Sequence, residues 1–171
     1  MLHLGGYKLS ISTEELRAKA FAEFEASLGD IHDQTHYVVQ AHLFLEQMLA
    51  RIIKTLFPRG QELLDGAQWS FHNKLLMVHG LDLLDEETYE GLRRFNTLRN
   101  RIAHRLRYQV SAADVRNVAG EHANPELVQL AEQHPMTALQ RIAISLLGEV
   151  GSLAVGYENL RLEGTRDERD A

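Results

Sequence analysis

Residues 31–57 carry Val38, Ala41, Leu45, Met48, Leu49, Ile52 and Leu56 at three- and four-residue spacing, one apolar stripe along a single long helix. Such a stripe has to be covered by other elements. No strand alternation or hairpin turn signal stands out along the chain, so other helices must supply the cover. Leu16, Ala20, Phe24 and Leu28 recur every four residues and predict a helix over 13–28, started by Ser12 as N-cap with Glu15 reaching back and punctuated by Gly29-Asp30. Phe57-Pro58-Arg59-Gly60 closes the long helix, and residues 58–69 read as a loop with a short turn at 61–64.

The same logic runs through the second half. Ser70 caps a short helix ending near Gly80. Asp85 caps another running to about residue 107, with Leu92, Phe95, Leu98, Ile102 and Leu106 as its buried stripe. Ser111 begins a short piece, Asn124-Pro125 begins one more, and Pro135 opens a last long helix to about 158. The expected fold is all-α, an up-and-down helical bundle. At 171 residues, with 44% hydrophobic and 25% charged residues, the chain suits one domain over 1–160 followed by a polar, flexible tail over 161–171.

Composition removes several chemistries. There is no cysteine, which excludes disulfide scaffolds, thiolate metal sites and cysteine nucleophiles. No Walker, Rossmann or nucleophile-elbow pattern occurs, so no cofactor is expected. His32 and His36 stand four apart, as do His42 and Glu46, but no third and fourth ligand follows at recognisable spacing, so no metal is expected either. No basic n-region precedes an apolar core, and no run approaches the roughly 20 apolar residues of a membrane span. The expectation is a cytoplasmic protein without membrane contact.

The informative stretch lies between Arg93 and Arg107. It holds six of the 18 Lys+Arg, and no acid occurs from residue 91 to 113. The remaining 12 basic residues face 24 acidic ones, a balance of -12, so an acidic chain carries one sharply basic strip. At about 100° per residue, Leu92, Phe95, Leu98, Ile102 and Leu106 share an arc of about 120°, and Arg99 falls inside it. A guanidinium on an apolar face is costly unless paired. It therefore needs either an internal carboxylate, for which Glu46 is the candidate, or a cleft where an anion binds. His42 and Glu46 are expected as neighbours of Arg99 across the bundle. Arg105 and Arg107 are accounted for more simply, as cations at a helix C-terminus.

Arg99-Asn100-Arg101-Ile102-Ala103-His104 resembles the R-N-x-x-x-H signature of HEPN domains. Upstream, Ser70-Phe71, Lys74-Leu75, Leu81, Leu83 to Glu87, Tyr89 and Leu92 make residues 70–104 similar to bacterial HEPN-like proteins, including the mannitol-operon-repressor group. The resemblance implies a bundle of about five helices that dimerises. In active members it implies a metal-independent endoribonuclease, often a toxin paired with an antitoxin. Arg99 would then hold the scissile phosphate, His104 would move protons, and Asn100 would orient His104 or the phosphate, with Arg93, Arg101 and Arg107 contacting RNA. The chemistry suits these residue types, because attack by a 2′-hydroxyl needs proton transfer near neutral pH and a cation at the phosphate oxygens. Activating the nucleophile and protonating the leaving oxygen are separate tasks, which two copies of the motif in a homodimer cleft would share. The mannitol-repressor group is regulatory, so the alternative is a non-catalytic protein-interaction bundle. On that alternative, His104 satisfies helix-end carbonyls and Asn100 bonds between helices. Residues 108–135, with Asn117, His122, Asn124 and His134, read as a loop-rich segment that either covers the cleft or connects helices.

Overall fold

The computed structural model describes residues 12–28, 33–66, 69–105, 107–120 and 123–167, with side chains as far as residue 161. Among these residues every regular element is an α-helix. They are α1 (Thr13–Leu28), α2 (Gln34–Leu56), α3 (Gly60–Asp65), α4 (Phe71–Gly80), α5 (Glu86–Ala103), α6 (Ala112–Ala119), α7 (Pro125–Gln133) and α8 (Pro135–Asp167). The start signals act as expected. Ser12 and Glu15 bond reciprocally, and the side chains of Ser70, Asp85 and Asn124 each accept an orphan N–H in the first turn of their helix. Asp33 does the same for α2, and Ser111 with Asp114 forms a full capping box on α6.

α2 is the central post. Tyr37, Val38, Ala41, His42, Phe44, Leu45, Met48, Leu49, Ile52 and Ile53 are all buried, so the apolar surface is far wider than one stripe. α8 covers one side of α2, while α4 and α5 cover the other, and α1 lies mainly along α8. α6 and α7 bridge from α5 to α8. Phe24, Phe95, Leu45, Met48, Leu49, Ile52, Leu92 and Leu98 belong to the continuous core, with Leu16, Ala20 and Val155 forming a small satellite under α1.

Four boundaries differ from the sequence reading. The segment 58–69 contains the short helix α3, whose carbonyl at Leu63 accepts the Trp69 indole N–H at 2.9 Å. The segment 108–135 is not loop-rich, because α6 and α7 fill most of it. α8 runs to Asp167, well past residue 158, so most of the expected tail is helical. α5 stops at Ala103 instead of 107. His104 is its C-cap, the Arg105 N–H closes a tighter turn on Ile102, and Arg107 takes a positive φ of 58°. That left-handed step in a non-glycine residue costs roughly 1–2 kcal/mol, and nothing in the local sequence announces it. The lead-in over 1–11, the Gly29-Asp30 punctuation and Leu106 lie outside the described residues.

Within α8, residues Pro135–Arg161 are long and apolar enough, by length and composition, to cross a membrane, contrary to the expectation that no such segment exists. Its most apolar window is 61% buried against the other helices, which is how a central core helix acquires such a composition.

α1 and α8 approach unusually closely at Gly151, where an added Cβ would stand 2.4 Å from the Cβ of Ala20. In an open helix, Gly→Ala gains about 1 kcal/mol of propensity. Here the overlap should reverse the sign. Gly151→Ala is expected to lose about 1–3 kcal/mol, read as a lower midpoint in urea or thermal unfolding. An unchanged or raised midpoint would mean that α1 does not pack here.

Candidate functional site

α5 presents its apolar stripe (Leu92, Phe95, Leu98 and Ile102) to α2 and α4, and its capping by Asp85 sets the rotation of everything that follows. Asn96, Arg99 and Asn100 flank that stripe at helical spacing i, i+3, i+4, which makes them surface neighbours. Arg99 is half-buried. Its Nη1 donates to Asn100 Oδ1 at 3.1 Å, and its Nε–H is buried without a partner among the described residues.

His42 of α2 lies behind this trio, only 3% exposed. Its ring packs on Phe71 with centroids 4.4 Å apart, and its Nε2 lies 2.8 Å from Asn96 Oδ1. An amide oxygen only accepts, so Nε2 carries the proton and Nδ1, buried without a partner, is left with its lone pair. Burial pushes the His42 pKa below the ordinary 6.5. The bond to Asn96 and the charge of Glu46 pull the other way, while the positive charges of Arg99 and Lys74 add to the depression. His42 thus bonds Asn96, one turn before Arg99 on α5, and feels the charge of Arg99.

Glu46 does not pair with Arg99. Lys74 of α4 reaches it at 2.5 Å and also donates to the Trp69 carbonyl at 3.0 Å. The physical reason is the fold-back of α4: Ser70 starts that helix over α2, and the lysine stem spans the gap to Glu46 from one turn inside it. The carboxylate that would have neutralised Arg99 internally is already taken.

His104 is exposed at the end of α5, and its backbone N–H donates to the carbonyl of Asn100 at 3.2 Å. Asn100 thus ties to Arg99 through its side chain and to His104 through its backbone. The imidazole of His104 is bonded to no described group.

The basic strip is less bare than its sequence. Arg93 forks onto Glu90 at 2.8–3.1 Å, and Arg94 stands 3.7 Å from the same carboxylate while donating to the Val118 carbonyl beside Gly120. Arg94 sits so close that a Cβ at Gly120, whose φ is +73°, would meet its guanidinium at 2.6 Å. Arg101 bonds Asp114 at 2.6 Å. Asp114, buried, also accepts from the Tyr108 hydroxyl and from Ser111. Burial works to raise its pKa, but the Ser111, Tyr108 and Arg101 interactions hold it below the usual value. Both neutralising acids, Glu90 and Asp114, stand one residue outside the acid-free run. Among the described residues, Arg99, Arg105 and Arg107 keep no carboxylate, although Arg105 leans over the Tyr108 ring at 5.8 Å.

A groove of about 590 Å³ lies elsewhere, lined by Arg17, Thr88, Gly91, Asn124, Arg141 and Glu149 among others. None of His42, Asn96, Arg99, Asn100 or His104 lines it; at the candidate site Asn100 and His104 are exposed and Asn96 and Arg99 half-buried, an open face. No group of three metal-ligating side chains occurs among the described residues; His36 is exposed beside Gln40, and His32 lies outside them. Asn96 and Lys74 were missed as site residues by sequence reasoning. The spacing of Asn96 from Asn100 and Arg99 was the available signal for the first. Comparison with family models, curated proteins and solved structures gave no match.

The buried neutral His42 has a measurable consequence. Its folded pKa is lowered, so the unfolded chain binds the proton more readily. Its contribution to stability is complete above pH 6.5 and is lost as pH falls from there through the folded pKa. Urea unfolding across that interval should show stability dropping in the wild type, with a flatter profile in His42→Phe. Parallel profiles would place His42 in solvent.

Proposed function

We propose that the chain is HEPN-like and acts as a metal-independent RNA endonuclease or RNA-binding effector of the toxin–antitoxin or defence type, working as a cytoplasmic homodimer. One observation carries this reading. Arg99 is held half-buried with an unpartnered Nε–H and no carboxylate, although Glu46 stands nearby on the facing helix and is occupied by Lys74. A buried donor without a partner costs about 1–3 kcal/mol, and an anion on the outward nitrogens offsets the uncompensated charge with bonds about twice as strong as neutral ones.

In this reading Arg99 holds the scissile phosphate and stabilises its developing charge, Asn100 keeps the guanidinium in place, and His104 is the acid–base residue. Arg105 and Arg107, free of carboxylates, extend the cation beyond the helix end. Arg93 and Arg101 contribute less to RNA binding than their sequence position implies, because Glu90 and Asp114 already engage them. An open face leaves one copy of His104 to do both proton transfers, and a second copy across a two-fold axis supplies the other acid–base group and closes the cleft. The occupied arginines favour a second reading, a non-catalytic regulatory or protein-interaction bundle in which another protein covers this surface.

The discriminating experiment incubates structured RNA with the protein in excess chelator. Cleavage should persist in the wild type and fall by about 10²-fold or more in His104→Ala and in Arg99→Ala, with both variants keeping the wild-type unfolding midpoint. Arg93→Gln should cleave nearly as well as the wild type. Intact RNA in the wild-type lane would remove the catalytic reading and leave the regulatory one.

A further inference from the structure

The amide oxygens at the site are both spoken for from inside the protein. Asn96 Oδ1 accepts from His42 Nε2–H at 2.8 Å, and Asn100 Oδ1 accepts from Arg99 Nη1 at 3.1 Å. What remains unengaged on this face is mostly donor: two amide NH₂ groups with no described partner and the outer nitrogens of a guanidinium, with only the second lone pair of each amide oxygen left to accept. Asn96 is half-buried, and its Nδ2 has no partner among the described residues. The alternative tautomer of His42 would bury an Nδ1–H with no acceptor, while Glu46, Lys74 and Arg99 are the charged groups around it, two of them positive. In the tautomer that the structure holds, the Asn96 oxygen turns inward to His42, which leaves the amide NH₂ for the outer side.

We propose that Asn96 is a third anion-contacting donor beside Arg99 and Asn100, and that His42 is the positioning residue that aims it. The face so built recognises the oxyanions of a phosphodiester backbone. This rests on reading the Arg99 face as the place where RNA is held. Three donors within one helical turn match several acceptor oxygens carrying shared negative charge. Nothing in this arrangement distinguishes one sequence from another, so selectivity for a particular RNA would have to arise elsewhere on the protein.

The test follows side-chain amide signals by NMR while wild-type protein is titrated with inorganic phosphate, then with a short oligothymidylate, which has phosphodiesters but no 2′-hydroxyl. Both ligands should shift the Asn96 and Asn100 NH₂ resonances. Asn96→Leu, close in size, uncharged and without donors, should weaken both affinities about tenfold, and Asn96→Asp, which adds a negative charge as well, should weaken them further. His42→Phe, which keeps a ring against Phe71, should weaken them about threefold and make the Asn96 amide signals collapse towards those of a mobile side chain before any ligand is added. Arg17→Gln, which removes a cation at the separate groove, should change little. An unmoved Asn96 amide, or an Asn96→Leu or Asn96→Asp variant that binds like the wild type, overturns the proposal. The two readings fail separately: phosphate binding that depends on Asn96 in a protein that leaves RNA intact removes only the nuclease. Conversely, RNA cleavage that is unaltered in a fully phosphate-competent Asn96→Asp removes only this inference.

Discussion

A buried, uncharged imidazole on the central helix holds the proposed site together. His42 sits where α2, α4 and α5 converge, stacked on Phe71 and bonded to Asn96. Its neighbours on α2, Ala41 and Leu45, are fully buried, so the ring has no room to move outward without disturbing the core. From that fixed point the register of α5 follows, because Asn96 can meet His42 only if Leu92, Phe95 and Leu98 face the core. Arg99 is then carried to the rim, one turn further on.

Electrostatics around this point is an allocation of few acids among many cations. Lys74 takes Glu46, Arg93 and Arg94 share Glu90, and Arg101 takes Asp114. The exposed Arg93–Glu90 pair contributes little to stability, whereas Asp114 under Arg101 is buried and costly to leave unpaired. On the proposed reading each pair removes a positive charge from the surface offered to RNA. The cations left over gather at the C-terminal end of α5, the end at which a helix dipole already favours an arriving cation and repels an anion. On the proposed reading, Arg99, Arg105 and Arg107 would have to overcome this local negative potential as well as attract a phosphate.

Much of this was legible beforehand. Caps at Ser12, Ser70, Asp85, Ser111 and Asn124 act within three residues of sequence, so their effect survives any tertiary arrangement. The arc that placed Arg99 among Leu92, Phe95, Leu98 and Ile102 depends only on helical pitch, and the half-buried guanidinium obeys it. The partner of Glu46 was not legible. Charge complementarity made Arg99 and Lys74 equally acceptable, and only the fold-back of α4 put the lysine within reach. The end of α5 was hidden for a related reason. Residues 104–107 continue a helical pattern without glycine or proline, and the turn there is imposed by Arg101, Tyr108 and Ser111 converging on Asp114 from both sides of it.

The amino-acid order by itself determined an all-helical chain, the rotation of each helix about its own axis and the local concentration of arginine, since these depend on periodicity, capping and composition over a few turns. Tertiary structure alone decided which carboxylate neutralises which cation, where α5 ends, and that the oxygen of Asn96 turns inward to a buried histidine. Those outcomes depend on distances between residues far apart in sequence, where several chemically equivalent partners compete and packing selects one.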